Sequence, residues 1–219
     1  MDMFGKTKHK GGICMSKDRI ITIGRQFGSG GHEIGQKLAD RLGIPLYDNQ
    51  LVSMAAKELE ITEEAAQRAD EANLNTFLAG YQANMLAYPD FISGSSYIYS
   101  LNEDVFRKQT KIIRELAGKG SCVIVGRCAD YILRENPECI NVFICAEKKD
   151  RVARISERYG VTEKKAAYMM RKTDRERAFY YESHTGLDWG SINSHQILFN
   201  VSLLGQERIV DILEMMFKS

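Results

Sequence analysis

The chain has few of the features that mark secreted, membrane-spanning or polyanion-binding proteins. Its five cysteines, Cys14, Cys122, Cys128, Cys139 and Cys145, form no C-x-x-C pair, and their odd number argues against a disulfide framework. Cys122 and Cys145 lie in apolar, strand-like runs and read as small buried hydrophobes, which suits a reducing, cytoplasmic setting. No apolar stretch approaches the roughly 20 residues of a bilayer span, so no membrane partner is expected. The formal net charge is only +1, which gives no electrostatic reason to expect a nucleic-acid polymer as partner. No proline- or serine-rich linker divides the chain. Residues 1–17 are polar, contain glycine and lysine, and lack the apolar core of a secretory signal. They are expected to be a disordered extension preceding one domain over 18–219.

What is present is an ordinary globular composition, 44% hydrophobic and 27% charged over 219 residues. Short apolar runs at 19–24, 121–126, 140–146 and 196–201 alternate with amphipathic stretches. Ile34, Leu38 and Leu42 recur at four-residue spacing and predict a helix that Gly43 ends. Asn49 and Thr62 sit where helix caps belong. Residues 104–117, 148–159 and 162 to about 181 also read as helices. Nearly all-apolar strands separated by helices imply a mainly parallel sheet covered on both faces. Residues 73–100, rich in Tyr, Asn, Ser and Ala, read as a mobile aromatic insertion. It suits either a substrate-covering subdomain or a homo-oligomer contact.

The first apolar run opens into Gly24-Arg25-Gln26-Phe27-Gly28-Ser29-Gly30-Gly31-His32-Glu33-Ile34-Gly35. A strand, a glycine-rich turn and a helix N-terminus in this order direct backbone N–H groups at an anion. Residues 28–33, that is Gly28, Ser29, Gly30, Gly31, His32 and Glu33, are therefore candidate phosphate ligands. The lysine of G-x-x-x-x-G-K-[ST] is missing, and Gly31 and His32 stand in its place. Arg25 or His32 are candidates to replace its charge, the alternative for His32 being an exposed first-turn residue. Glu33, near the place of the magnesium-binding hydroxyl, is a candidate metal ligand, or an acid that simply complements the helix dipole.

Two further clusters carry charge. Gly126-Arg127-Cys128-Ala129-Asp130 follows a buried strand, at the strand end where open α/β sheets bind ligands. Arg127 suits a phosphate and Asp130 a base amino group or ribose hydroxyl, or else the two form a local ion pair. Arg171-Lys-Thr-Asp-Arg-Glu-Arg177 places Arg171 and Arg175 on one helical face with Arg177 beside them. The run reads as a solvated helix face or as a phosphate-clamping lid.

Together these pieces resemble the cytidylate kinase-like family, a branch of the P-loop nucleoside monophosphate kinases, over residues 19 to about 213. The glycine turn, Gly126-Arg127 after a strand, and Thr173-Asp-Arg-Glu-Arg-Ala178 carry the resemblance, and Asn200-Val-Ser-Leu-Leu-Gly205 looks like the family's last strand-to-helix connection. It implies an α/β, three-layer P-loop NTPase fold with a mainly parallel five-stranded sheet. It also implies a helical acceptor-binding insertion at about 48–103 and a lid at about 158–190. Residues 28–31 would bind ATP, which acts with Mg²⁺. Asp48 and Arg127 would hold the acceptor, and Arg171 and Arg177 would be lid arginines. The turn departs from the Gly-Ser-Gly-Lys-Gly-Thr of cytidylate kinases. Val125 and Cys128 replace the acids that flank their Gly-Arg.

Three readings follow. The first is ATP-dependent phosphoryl transfer to a nucleoside monophosphate, CMP or dCMP favoured, or to a related small acceptor. The second is a nucleotide-binding or regulatory module that has lost catalysis with the P-loop lysine. The third is an assembly protein that self-associates through its aromatic insertion.

Overall fold

Five short apolar runs form one sheet, whose central strands Ile20–Arg25 and Cys122–Val125 are rich in Ile and Val and bury both faces while the edge strands stay half-exposed. β1 (Ile20–Arg25) is central, β2 (Leu46–Tyr47) and β3 (Cys122–Val125) lie to one side, and β4 (Cys139–Cys145) and β5 (Ile197–Asn200) lie to the other. The order is β2-β3-β1-β4-β5 and every pair is parallel, so the sheet is wholly rather than mainly parallel. The computed structural model describes residues 18–48, 50–66 and 89–219, with the backbone alone described over 89–101. The extension at 1–17, the Asn49 cap and the aromatic residues before 89 lie outside the described residues.

Alternation along the strands assigns the two faces. Ile21, Ile23, Val123, Val125, Val142 and Ile144 pack against Ile34 and Leu38 of α1 (Gly31–Leu42) and Ile209, Val210 and Leu213 of the C-terminal helix (Gln206–Lys218). Ile20, Cys122 and Ile124 pack on the opposite face, against Leu51 of α2 (Gln50–Glu58) and Ile112, Ile113 and Leu116 of α3 (Pro89–Ala117). α4 (Ala129–Ile132) and Tyr180 and Tyr181 complete that face. Each fully buried Ile or Leu contributes roughly 1.5–3 kcal/mol. The result is the three-layer α/β fold of P-loop proteins.

The helical periodicity is followed closely. α1 ends on Gly43 at φ 65°, and α5 (Lys148–Tyr159) ends on Gly160 at φ 61°. Thr62 Oγ1 accepts from the Ala65 N–H at 3.2 Å, and Thr162 Oγ1 accepts from Lys165 at the start of α6 (Glu163–Thr185). Two boundaries need correction. The helix expected from 104 begins at Pro89, because Gly94 and the surrounding serines and tyrosines are accommodated within it rather than breaking it. The last strand stops at Asn200, whose side chain accepts from Ser202 N and turns the chain into α7 (Val201–Leu204), ahead of the C-terminal helix α8. Among the described residues no helix is long and apolar enough to cross a membrane, and the described cysteines are free thiols.

Candidate functional site

The segments that follow β1 and β2 line one cleft, whereas Arg127, after β3, lies outside its lining. β1 leaves the sheet after Gln26 N–H donates to Ile144 O at 3.0 Å. Ser29 then closes the turn, its N–H and hydroxyl both donating to Gln26 O at 3.3 and 2.8 Å. Gly28 and Gly30 flank it at φ 79° and 86°, a left-handed conformation that glycine adopts without strain. Gly30 caps α1 with no side-chain acceptor, and the first helical bond is Ile34 N–H to Gly30 O at 3.0 Å. The N–H groups of Gly31, His32 and Glu33 therefore project from the helix end without backbone partners, the arrangement that binds an anion.

Arg25 fills the space beside that turn. A Cβ at Gly31 would lie 2.6 Å from Arg25 Cβ and 3.3 Å from Ile144 Cβ, so the glycine is what lets Arg25 run past the helix start. Its guanidinium packs on Gly126 and donates to Asp48 Oδ1 at 3.2 Å. The other Asp48 oxygen is 2.8 Å from His32 Nδ1. Asp48 is thus a mostly buried carboxylate joining the end of β1 to the first turn of α1. The cleft above these groups has a volume of about 170 Å³ and is open to solvent.

α5 and α6 form its far wall. Arg154 and Arg158 on α5 and Arg177 on α6 line the cleft. Arg154 Nη1 packs over Gly30, is buried, and has no hydrogen-bond partner among the described residues. Arg158 pairs with Glu33. Below them Arg151 donates from Nε to Phe27 O at 2.8 Å and pairs with Asp174, which also accepts from Phe27 N–H at 2.7 Å. Arg177 Nη1 donates to Arg25 O at 3.2 Å. Burial, then the charge of Arg25, push the Arg177 pKa down to about 9, Arg127 adding to the repulsion while Asp174 and Asp48 oppose it. The guanidinium stays charged at neutral pH, in a place where an anion would relieve it.

β3 runs into Gly126, Arg127 and Cys128 at φ 77°, 55° and 54°. Two successive non-glycine residues in this region cost on the order of 1–3 kcal/mol each, and such strain concentrates at functional sites. The turn sets Arg127 near Arg177, its guanidinium 6.0 Å from the Tyr180 ring centroid.

The structure thus brings Arg25, Gly28, Gly30, Gly31, His32, Glu33, Asp48 and Arg177 to one cleft. Ser29 is fully buried and its polar groups are spent inside the turn. Arg171 and Arg175 are exposed on α6, outside the cleft lining. Asp130 points into the protein: Tyr181 OH donates to it at 2.6 Å, and it does not line the cleft. Burial raises its pKa, which the Tyr181 hydrogen bond and nearby His195 only partly oppose. Sequence reasoning missed Arg151, Arg154 and Arg158. Their i, i+3, i+7 spacing along α5 was the available signal, a charged stripe on one face of a helix that follows a core strand.

The sequence profile of the cytidylate kinase-like family matches residues 20–203. The crystal structure of an uncharacterized protein from Eubacterium ventriosum ATCC 27560 aligns at 30% identity and TM-score 0.69, over 92% of this chain and 99% of that one. A shikimate kinase from Bacteroides thetaiotaomicron aligns at 14% identity and TM-score 0.49, covering 92% and 99% of the two chains. Shikimate kinase from Acinetobacter baumannii in complex with shikimate aligns at 11% identity and TM-score 0.48, covering 92% and 93%. No curated protein matches the chain at a significant level.

Proposed function

The chain belongs to the cytidylate kinase-like family, and on that premise we propose that it transfers the terminal phosphoryl group of ATP to a small anionic acceptor. The observation that carries this reading is the uncapped N-terminus of α1 opening on a cleft lined by Arg25, Arg154, Arg158 and Arg177. In-line phosphoryl transfer needs positioning and charge neutralisation more than covalent chemistry. The amides of residues 31–33 and the unpartnered Arg154 Nη1 suit the donor phosphates. Arg127 and Arg177, with Arg25 between them and the turn, suit the acceptor's anionic group and the charge that spreads in the transition state. One preorganised donor of this kind is worth about 2.7–4 kcal/mol.

Magnesium, when bound, would offset the charge of the phosphates. Glu33, paired with Arg158, is the carboxylate that would face such an ion, since both Asp48 oxygens are engaged by Arg25 and His32, and among the described residues no group of three His, Cys, Asp or Glu is assembled to hold a metal. That donor set suits an ion that keeps water and phosphate as most of its ligands. CMP and dCMP are the acceptors to which the family resemblance points. With Asp130 turned inward, recognition would rest on their phosphate rather than on that side chain.

A coupled assay with Mg-ATP against CMP, dCMP and other small acceptors, together with calorimetric titration of ATP, tests the reading. The expected results are ATP binding that weakens roughly 10- to 100-fold in Arg154→Ala, as loss of a charge-assisted contact implies, and acceptor-dependent ATP consumption. No heat with any triphosphate would overturn it. The replacement of lysine and threonine by Gly31 and Glu33 favours a second reading, nucleotide binding without turnover. That reading is met if ATP binds and is never consumed.

A further inference from the structure

A phosphate acceptor and a hydroxyl acceptor make different demands on the cleft. A phosphate arrives ionised and needs only cations, whereas an alcohol must lose a proton as its oxygen attacks. A carboxylate in the acceptor seat repels the first and serves the second. This cleft contains such a carboxylate, coupled to an imidazole. Asp48 Oδ2 lies 2.8 Å from His32 Nδ1, and Arg25 Nη2, 3.2 Å from Oδ1, holds the carboxylate in place. The Asp48 side chain is 11% exposed and the His32 side chain 46% exposed, so the acid is buried and the ring faces open space in the cleft lining. When Nδ1–H is donated to Asp48, Nε2 carries the lone pair, and no described residue bonds Nε2. A third group orienting the base is the pattern of an activated nucleophile. His32 is also part of the helix end whose amides face the phosphates, which places the base beside the group to be transferred.

We propose that the acceptor is a small hydroxylated anion, a hydroxy acid or a sugar phosphate, and that His32, oriented by Asp48, is the general base. This rests on the phosphotransferase reading. The acceptor's O–H bond breaks and its proton goes to His32 Nε2, where Asp48 stabilises the imidazolium. The new bond forms between that oxygen and the γ-phosphorus. The bond from the γ-phosphorus to the bridging oxygen breaks, and its electron pair leaves with the diphosphate. His32 then returns the proton to water. The acceptor's own negative group sits against Arg177, which lines the same cleft.

Water is the simplest hydroxyl acceptor, so the proposal is testable before the natural acceptor is known. Single-turnover Mg-ATP hydrolysis by the full chain is measured from pH 5 to 9 for the wild type, His32→Gln and Asp48→Asn. Transfer is then measured to glycerate and ribonate, to ribose 5-phosphate and glycerol 3-phosphate, and to CMP. His32→Gln is expected to lower the hydrolysis rate constant at least about 100-fold and to leave ATP affinity within about threefold. A preference for either the hydroxy acids or the sugar phosphates over CMP supports the proposal and identifies the anionic group. Hydrolysis in His32→Gln at the wild-type rate overturns it. So does CMP phosphorylation that His32→Gln changes less than about threefold, which leaves the phosphotransferase reading standing. ATP bound and never cleaved by the wild type overturns the base while keeping the binding module, and absence of ATP binding removes both.

Discussion

Position 31 shows how one residue redirects a binding site. In the G-x-x-x-x-G-K-[ST] pattern the cation enters from the helix start, whereas here Arg25 enters from the end of β1 and packs where a side chain at Gly31 would begin. The two arrangements exclude each other sterically. Gly31→Lys alone is therefore expected to overpack the turn and destabilise the protein by about 1–3 kcal/mol, with no gain in turnover. The double variant Gly31→Lys, Arg25→Gly, which removes the clashing Cβ as well as the guanidinium, should recover part of that loss. Denaturant melts and initial rates of both variants check this, and a stable, faster Gly31→Lys would refute the exclusion. Arg25, His32 and Asp48 were each legible as charged residues near a phosphate turn. Their union was not, because no sequence spacing connects Asp48 at the end of β2 to a ring on α1. Asp130 shows the converse. Its chemistry was legible, but which way it faced depends on Tyr181, 51 residues away.

At the scale of elements, α5 and α6 are joined to the phosphate turn rather than set apart from it. Phe27 is held by both of its backbone groups, through its N–H to Asp174 and through its O to Arg151. Ile155 of α5 and Ala166 and Met170 of α6 form an apolar cluster against which the Phe27 ring packs. The Arg151–Asp174 pair is largely buried, so its value lies in completeness: removing one partner strands the other. Asp174→Asn is expected to destabilise the protein by roughly 3–5 kcal/mol. Arg151→Met combined with Asp174→Leu should cost less than that single change, even with the Phe27 bonds lost. Chemical denaturation of the wild type and the two variants decides it, and a double variant that loses at least as much as Asp174→Asn would show that the pair does not act as a unit. Most of these elements were legible, since helix ends marked by Gly43, Gly160, Thr62 and Thr162 are local. The start of α3 was not legible, because composition at 89–103 suggests a loop while the backbone continues as a helix. The charged stripe of α5 looked like any solvated face until the turn was seen beneath it.

Across the whole molecule, a buried polar group ties together segments that are far apart in sequence. Asp130 follows β3, Tyr181 belongs to α6, and His195 precedes β5. The His195 ring lies under β1, where a Cβ on Gly24 would meet its Nε2 at 2.8 Å. His195 also packs on Phe143 of β4 and on Tyr181, at centroid distances of 4.8 and 5.8 Å. Burial lowers the His195 pKa, and the attraction of Asp130 only partly offsets this. The sign of the linkage follows. As pH falls below the ordinary histidine value of about 6.5, the unfolded chain takes up the proton before the folded one does. Stability is therefore retained above that pH and lost as pH falls towards the folded-state pKa. Asp130, raised by burial, acts oppositely above the ordinary carboxyl range, because there the folded protein keeps a proton that the unfolded chain has released. The His195 contribution to stability should accordingly fall between pH 7 and 5.5, by at most about 1.4 kcal/mol per pH unit. His195→Phe keeps an aromatic ring between Phe143 and Tyr181 and removes the titration. Its denaturation free energy should fall less over the same interval, since every other group titrates in both proteins. Equal losses in the two would mean that the proton enters elsewhere, and that this group joins the sheet to α6 by packing alone.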